Sequence, residues 1–386
     1  MCETRTIRLL SVVGARPQFV KLGPVSREIR RLRTVANLDL EDFIVHTGQH
    51  YDPAMSAVFF AELDIPSPAV NLSVGSGSHG AQTGRMLAEL ERVMIEAQPD
   101  VVVVYGDTNS TAAGALAAAK LHLPVLHVES GLRSFNRFMP EEINRIVADH
   151  VSSRLAAPTA TAVRNLEREG LAARTVLTGD VMLDAVQHHA ASAIATSQVL
   201  QRLGIEPGSF LLATIHRAEN TTGPVLQRLL QGLEAAAHDW LPIIFPMHPR
   251  TVEVIGRELP GWAPSARLRI IEPQGYLDML RLVGGARCVL TDSGGLQKEA
   301  AFLGTPCITL RDETEWVETL EHGANRIAGS DGRDLSKCVE HWMHMGSDER
   351  QMAMLATAKE FGGGSAASRI LQEAVDLLSG TTSVQK

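Results

Sequence analysis

Residues 124–145 read PVLHVESGLRSFNRFMPEEINR, and the order of chemistry along this stretch decides the fold class. Pro124 bounds a short apolar run, Val125 to Val128, with the length and composition of a buried strand. Glu129 stands at its carboxyl end. Farther on, Pro140-Glu141-Glu142 opens a helix: proline suits the first helical position, and carboxylates there meet the positive end of the helix dipole. The seventeen positions from Glu129 to Arg145 hold three carboxylates and three arginines, in a chain that is 45% hydrophobic and 21% charged. Strand, charged loop and helix in that order are the unit of an α/β protein, and open parallel sheets take ligands beyond the carboxyl ends of their strands.

The same unit recurs outward in both directions. Strand-like runs occupy 7–15, 43–48, 101–107, 125–130, 155–158 and 175–179, then 210–216, 242–248, 268–273, 288–293 and 307–310. Helical runs such as 83–98, 111–121, 226–238 and 295–303 lie between them. The alternation predicts parallel sheets with helices on both faces. So many strands exceed one small sheet, and 386 residues exceed one ordinary domain. The expected architecture is therefore α/β, with two Rossmann-like domains facing a central cleft. The first spans 1–178 and the second 179–365, because 179–197 carries a long helix without a strand partner. A last helix, 366–384, follows Gly362-Gly363-Gly364-Ser365 and is expected to pack back on the first domain.

A net charge of −8 and a pI near 6.0 argue against a nucleic-acid or anionic-membrane partner, though local arginines can still bind a phosphorylated small molecule. Cys2, Cys288, Cys307 and Cys338 form no CxxC pair, which reads as buried thiols in a reducing cytosol rather than a metal site. No signal-peptide pattern opens the chain and no apolar run reaches membrane-spanning length, so a cytoplasmic protein is expected.

Five further motifs carry chemistry. Gly14-Ala15-Arg16-Pro17 brings an arginine, whose fork matches phosphate oxygens, to the end of the first strand. In Val104-Tyr105-Gly106-Asp107-Thr108 an aspartate stands on the strand tip, ahead of the hydroxyl caps. His216-Arg217 and His248-Pro249-Arg250 end strands of the second half. Asp292-Ser293-Gly294-Gly295 opens a helix whose unpaired N–H groups can cradle a diphosphate, with Glu299 one turn in. Gly75-Ser76-Gly77-Ser78-His79-Gly80 matches the dinucleotide glycine pattern literally, but it follows a poor strand at 68–72 and lacks a ribose-binding acid.

Together GARPQFVKLGPV, HTGQHYDPAM (46–55), GDTNST, HVESGLRS, PEEINR, TIHRAEN and TDSGGLQKEA resemble the non-hydrolysing UDP-N-acetylglucosamine 2-epimerases. The resemblance implies a glycosyltransferase-B-type fold, a homodimer, a UDP-sugar substrate and no cofactor or metal. It implies inversion of carbon 2 by elimination and re-addition of UDP through a 2-acetamidoglucal. It places Arg16, Lys21, Asp107, Glu129, Glu141, Arg145 and His216 at catalytic positions, with Asp107 and Glu141 exchanging the carbon 2 proton. Arg133, Arg217, His248, Tyr276, Ser293, Gly294, Gly295, Glu299 and Arg311 fall on substrate contacts, Tyr276 near the uracil. On their own chemistry Glu142 reads equally as a helix-start charge and Arg133 as a positioning or structural one. A regulatory nucleotide-sugar site in this family involves the region of Gln49, His50 and Gln82.

Two positions depart from the common pattern: Gln18, where glutamate is frequent, and Trp316 in Arg311-Asp312-Glu313-Thr314-Glu315-Trp316, where arginine is. That combination resembles a subgroup that includes epimerases of a diacetamido uronic acid nucleotide. Rival readings are a hydrolysing epimerase releasing N-acetylmannosamine and UDP, a glycosyltransferase on the same fold, and a nucleotide-sugar-binding regulatory module. A nicotinamide-dependent dehydrogenase rests only on the weak glycine match.

Overall fold

The tips of the strands leave the sheets one or two residues earlier than the apolar runs end, and this frees the charged residues that follow. In a computed structural model describing residues 6–35, 39–49, 59–217 and 219–381, the strands form two all-parallel sheets. The first joins β1 (Ile7–Val13), β2 (Leu40–His46), β3 (Val70–Asn71), β4 (Val101–Tyr105), β5 (Val125–Val128), β6 (Arg154–Ala157) and β7 (Thr175–Leu177). Its order is β3-β2-β1-β4-β5-β6-β7. The second joins β8 (Leu211–Thr214), β9 (Ile243–Pro246), β10 (Leu268–Ile271), β11 (Cys288–Thr291), β12 (Cys307–Thr309) and β13 (Asn325–Ile327), in the order β10-β9-β8-β11-β12-β13. Each sheet starts in its middle and reverses direction once, between β1 and β4 and between β8 and β11. Those reversals open crevices at the strands' carboxyl ends.

Valine-rich β4 shows why the strands are central. All five of its residues are buried, as expected of a strand covered on both faces, and full burial of each valine stabilises by roughly 1.5–3 kcal/mol. The helix Asn109–Lys120 covers it with small residues. A side chain at Gly114 would stand 3.2 Å from the methyls of Val12 and Val104, so only glycine lets helix and sheet approach so closely. Two edge strands read weakly or not at all: β3 is two residues of the poor strand at 68–72, and β13, Asn325-Arg326-Ile327, is neither long nor apolar enough to register.

The chain divides into two compact units, 1–185 with 361–386, and 186–360. The division falls inside the helix Val181–Thr196 rather than at residue 178. In the first unit the Asp180 N–H donates to the Phe361 carbonyl at 2.9 Å. Gly179, with φ +84°, has no room for a side chain against that carbonyl. The helix Ala366–Thr381 belongs to this unit. Asp184 accepts from the N–H groups of Ala366 and Ala367 at 3.2 and 2.9 Å, and Ser368 bonds to Glu28 on the helix Arg16–Val35. In the second unit Phe245, Leu290 and Ile308 on the strands pack in one core with Leu229, Leu233 and Trp342 from the helices. Among the described residues no helix is long and apolar enough to cross a membrane.

Candidate active site

In the first unit Lys21, Asp107, Glu129 and Arg145 gather about Gly106, at the β1/β4 reversal. Lys21, from the first turns of the helix after β1, donates to Glu129 Oε1 at 2.5 Å, and both side chains are buried. Glu129 takes the left-handed conformation, φ +67°, a cost of about 1–3 kcal/mol in a non-glycine residue. Its backbone N–H stays anchored to the Ala156 carbonyl at 3.1 Å. Gly106 has φ +64°, and a side chain there would strike Lys21 Nζ at 2.8 Å. Asp107 Oδ2 accepts from Arg145 Nη2 at 2.5 Å while the aspartate keeps 27% of its side chain exposed. Arg16, half-buried, lays its guanidinium over the Phe59 ring at 4.4 Å, which fixes the plane of its fork. Glu141 is half-buried in the first turn of the helix Pro140–Val151.

Three residues outside the predicted set hold this arrangement. Glu142 is almost fully buried and accepts from Ser134 N and Oγ, Phe135 N and Arg145 Nη1, so it is more than a helix-start charge. It pins the loop before the helix, including Phe135 in the left-handed conformation, and braces Arg145 from behind. Asn144 bridges the Asp107 carbonyl and Asn109 Oδ1 at 3.0 and 3.1 Å. Gln18 accepts from the N–H groups of Gly14 and Ala15 and donates to the Tyr105 carbonyl and Thr111 Oγ1, tying the ends of β1 and β4 together. An amide suits this position because it needs acceptor and donors at once, which a carboxylate lacks.

Arg133 requires a correction. Its Nε and Nη2 donate to Glu169 at 2.7 Å, and Nη1 reaches Asp149 at 2.8 Å and the Leu132 carbonyl at 2.6 Å, with the side chain 1% exposed. Its donors are committed inside the fold, which makes it a strut rather than a substrate contact.

In the second unit the candidates surround the ends of β8 and β11. Asp292, fully buried, accepts from the backbone N–H of His216 and of Arg217 at 3.0 Å and faces His216 Nδ1 at 3.0 Å. Burial resists its ionisation, but the His216 ring and those N–H groups outweigh it and bring its pKa down to about 2. This carboxylate was quoted in the motif yet not chosen; its signal was an acid on a buried strand tip just before a glycine turn. With Nδ1 held, His216 offers its other ring nitrogen, and 41% of its side chain is exposed. Ser293 caps the helix Gly294–Phe302 by accepting from the Leu296 N–H at 3.4 Å. A side chain at Gly294 would meet Glu315 Oε1 at 2.4 Å and Trp316 Nε1 at 3.2 Å. Glu315 in turn holds Arg311 Nη1 at 2.9 Å and lies 3.6 Å from Arg217 Nη2, so two guanidiniums gather beside the turn. Lys298, buried behind it, stacks on the Trp316 ring at 3.7 Å. His248 accepts from the Arg250 N–H through Nδ1 at 3.2 Å and tilts against His216, ring centres 5.9 Å apart. Glu299 is buried in the second turn of the same helix.

Tyr276 lies deeper than the second unit's other candidates. Its ring is 2% exposed and packs edge-on against His189, making it an interior group of the second unit. The glycine pattern at 75–80 runs from a loop into the helix His79–Ala97, and Gln82 and Arg85 bond its carbonyls at Gly75 and Ser76. Gln49 bonds to Ser110, whereas His50 and residues 51–55 lie outside the described residues. Among the described residues no group of three or more His, Cys, Asp or Glu side chains could hold a metal ion.

A family model described as UDP-N-acetylglucosamine 2-epimerase matches residues 32–374. A UDP-N-acetylglucosamine 2-epimerase homolog of Methanococcus maripaludis is 48% identical over 328 residues, 84% of this chain and 89% of the relative. The UDP-2,3-diacetamido-2,3-dideoxy-D-glucuronate 2-epimerase of Pseudomonas aeruginosa is 45% identical over 379 residues, 95% of this chain and 99% of the relative. A crystal structure of the Methanocaldococcus jannaschii UDP-GlcNAc 2-epimerase, in complex with UDP-GlcNAc and UDP, matches with a TM-score of 0.86 at 41% identity. That match covers 96% of this chain and 100% of the other.

Proposed function

The chain belongs to the UDP-N-acetylglucosamine 2-epimerase family, and on that premise we propose that it reversibly converts UDP-N-acetylglucosamine to UDP-N-acetylmannosamine without hydrolysis. The observation that carries this reading is the convergence of Lys21–Glu129 and Arg145–Asp107 on one strand tip, in a chain whose other unit offers an anion cradle. Binding an anion gains nothing from carboxylates; moving a proton needs them.

Carbon 2 of the sugar has no adjacent carbonyl to acidify it. Its proton therefore leaves as the carbon 1–oxygen bond breaks, the electron pair passes to the diphosphate, and a carbon 1–carbon 2 double bond forms. Re-addition of UDP with protonation from the opposite face inverts the centre. Two proton-transfer groups are needed, and Asp107 and Glu141 take those roles, while Glu129 with Lys21 orients the sugar. His216, Arg217 and the Ser293-Gly294-Gly295 helix start stabilise the leaving diphosphate, and each such preorganised donor is worth roughly 2.7–4 kcal/mol of barrier. His248, Glu299 and Arg311 complete the nucleotide contacts, and no cofactor or metal takes part.

A second reading replaces the substrate by UDP-2,3-diacetamido-2,3-dideoxy-D-glucuronate, favoured by the 45% identity to the Pseudomonas aeruginosa enzyme over 95% of this chain. Proton NMR in heavy water with each nucleotide sugar in turn separates the two. UDP-N-acetylmannosamine carrying deuterium at carbon 2 is the expected product. Turnover of the uronate alone would transfer the reading to the second substrate, and release of free N-acetylmannosamine would make the enzyme a hydrolysing one.

A further inference from the structure

His127 lies on β5, two residues before Glu129, with its imidazole wholly buried. Both ring nitrogens meet acceptors. Nε2 is 2.7 Å from the Gly106 carbonyl oxygen, and Nδ1 is 2.7 Å from Asp149 Oδ1. A carbonyl oxygen can only accept, so Nε2 carries a proton. The second proton then lies between Nδ1 and Oδ1, on the ring or on the acid. Asp149 decides where. Its other oxygen already accepts from the Gly131 N–H at 3.2 Å and from the Arg133 guanidinium at 2.8 Å, which favours the carboxylate. Although burial opposes it, His127 and Arg133 also hold the Asp149 pKa below the ordinary carboxylate value.

We infer that His127 is a positioning residue: held by Asp149 on one side, it clamps the Gly106 carbonyl on the other, so that the Gly106–Asp107 peptide is set for proton transfer. The peptide whose oxygen it holds supplies the nitrogen of Asp107. A side chain at Gly106 would stand 2.8 Å from Lys21 Nζ and 3.6 Å from Glu129 Oε1, so the ring holds a residue that lies between the Lys21–Glu129 pair and Asp107. The charged groups around the ring are Asp149 and, through it, Arg133 with Glu169, together with Glu129 on its own strand and Lys21 across Gly106.

The positioning role rests on the proposed epimerisation; the bond to the Gly106 carbonyl does not. The test therefore has two arms. Nitrogen-15 NMR of the histidine-labelled full chain should show a proton on His127 Nε2 at neutral pH, held in its bond to Gly106, the signal being assigned by its loss in His127→Gln. Should that variant not fold, Asp149→Asn identifies the same ring by the shift of its Nδ1 signal. A His127 Nε2 without a proton at neutral pH overturns the inference, whatever the enzyme turns over. In the second arm, carbon 2 deuterium exchange and kcat on UDP-N-acetylglucosamine should fall about 10²-fold in His127→Gln, as expected for a displaced reacting group, with KM and UDP affinity nearly unchanged. A folded His127→Gln with wild-type kcat overturns the positioning role. A wild type inactive on this sugar overturns the proposed function and leaves the ring measurement to decide the clamp on Gly106.

Discussion

At the end of β4 the first unit keeps its charges in pairs of long side chains, whereas at the end of β11 the second presents backbone N–H groups and rings around one buried aspartate. The topologies are the same, both reversing once in mid-sheet, so the difference lies in what the strand tips carry. Lys21–Glu129 and Arg145–Asp107 bring carboxylates, the groups that can carry a proton, to positions fixed by a second layer of Glu142, Asn144 and Gln18. The Ser293-Gly294-Gly295 turn cannot change its charge. It offers a fixed partial positive end, suited to a ligand group that stays anionic through the reaction. A reaction that both moves a proton and expels a diphosphate needs one of each.

The sharpest way to break this contrast is to disable one kind of group and measure the property assigned to the other. Asp107→Asn keeps the size of the side chain and an oxygen for Arg145, but it cannot take a proton. Carbon 2 exchange should fall by about 10²–10⁴-fold while calorimetric UDP affinity stays nearly intact. Near-normal exchange would remove Asp107 from proton transfer. Gly294→Ala is the counterpart in the second unit. The new methyl would stand 2.4 Å from Glu315 Oε1 and displace the carboxylate that holds Arg311 and approaches Arg217. Losing one charged hydrogen bond to the ligand weakens binding by roughly 1.5–3 kcal/mol, so UDP affinity should drop about 10- to 10²-fold. Exchange at saturating substrate should change far less. If UDP binds this variant normally, the turn is not the diphosphate cradle.

The sequence was legible where chemistry is local. An apolar run followed by a charge is a strand tip whatever surrounds it, so Asp107, Glu129, His216 and Ser293 could be placed before any coordinates. A serine before two glycines is a helix start for the same reason. It was illegible where a residue's meaning depends on a distant partner. Arg133 and Arg145 stand in one dense segment and look alike, yet Arg145 faces Asp107, 38 positions away, while Arg133 is consumed by Glu169, 36 positions the other way. Tyr276 was assigned by motif position, and nothing local to it shows that its ring packs against His189, 87 positions back. Gln18 looked like a simple departure from glutamate; only the Tyr105 carbonyl opposite its amide shows why a donor belongs there.

Asp292 offers the finest test, because it is the one charge on which the second unit's arrangement turns. Its folded pKa of about 2 lies below the ordinary carboxylate value of 3.8, so the native state binds fewer protons than the unfolded state between those values. Stability from this group is therefore fully present above the unfolded value and is lost as pH falls through the folded one. The shift corresponds to about 2 kcal/mol. Asparagine at this position does not titrate. The stability difference between wild type and Asp292→Asn, read by denaturant unfolding, should thus be constant from neutral pH to about pH 5 and shrink by about 2 kcal/mol on approaching pH 2. A difference that ignores pH would show that the N–H groups of His216 and Arg217 hold an uncharged side chain equally well. The carboxylate would then be dispensable to the fold, and its reason for being there would rest on orienting His216 alone.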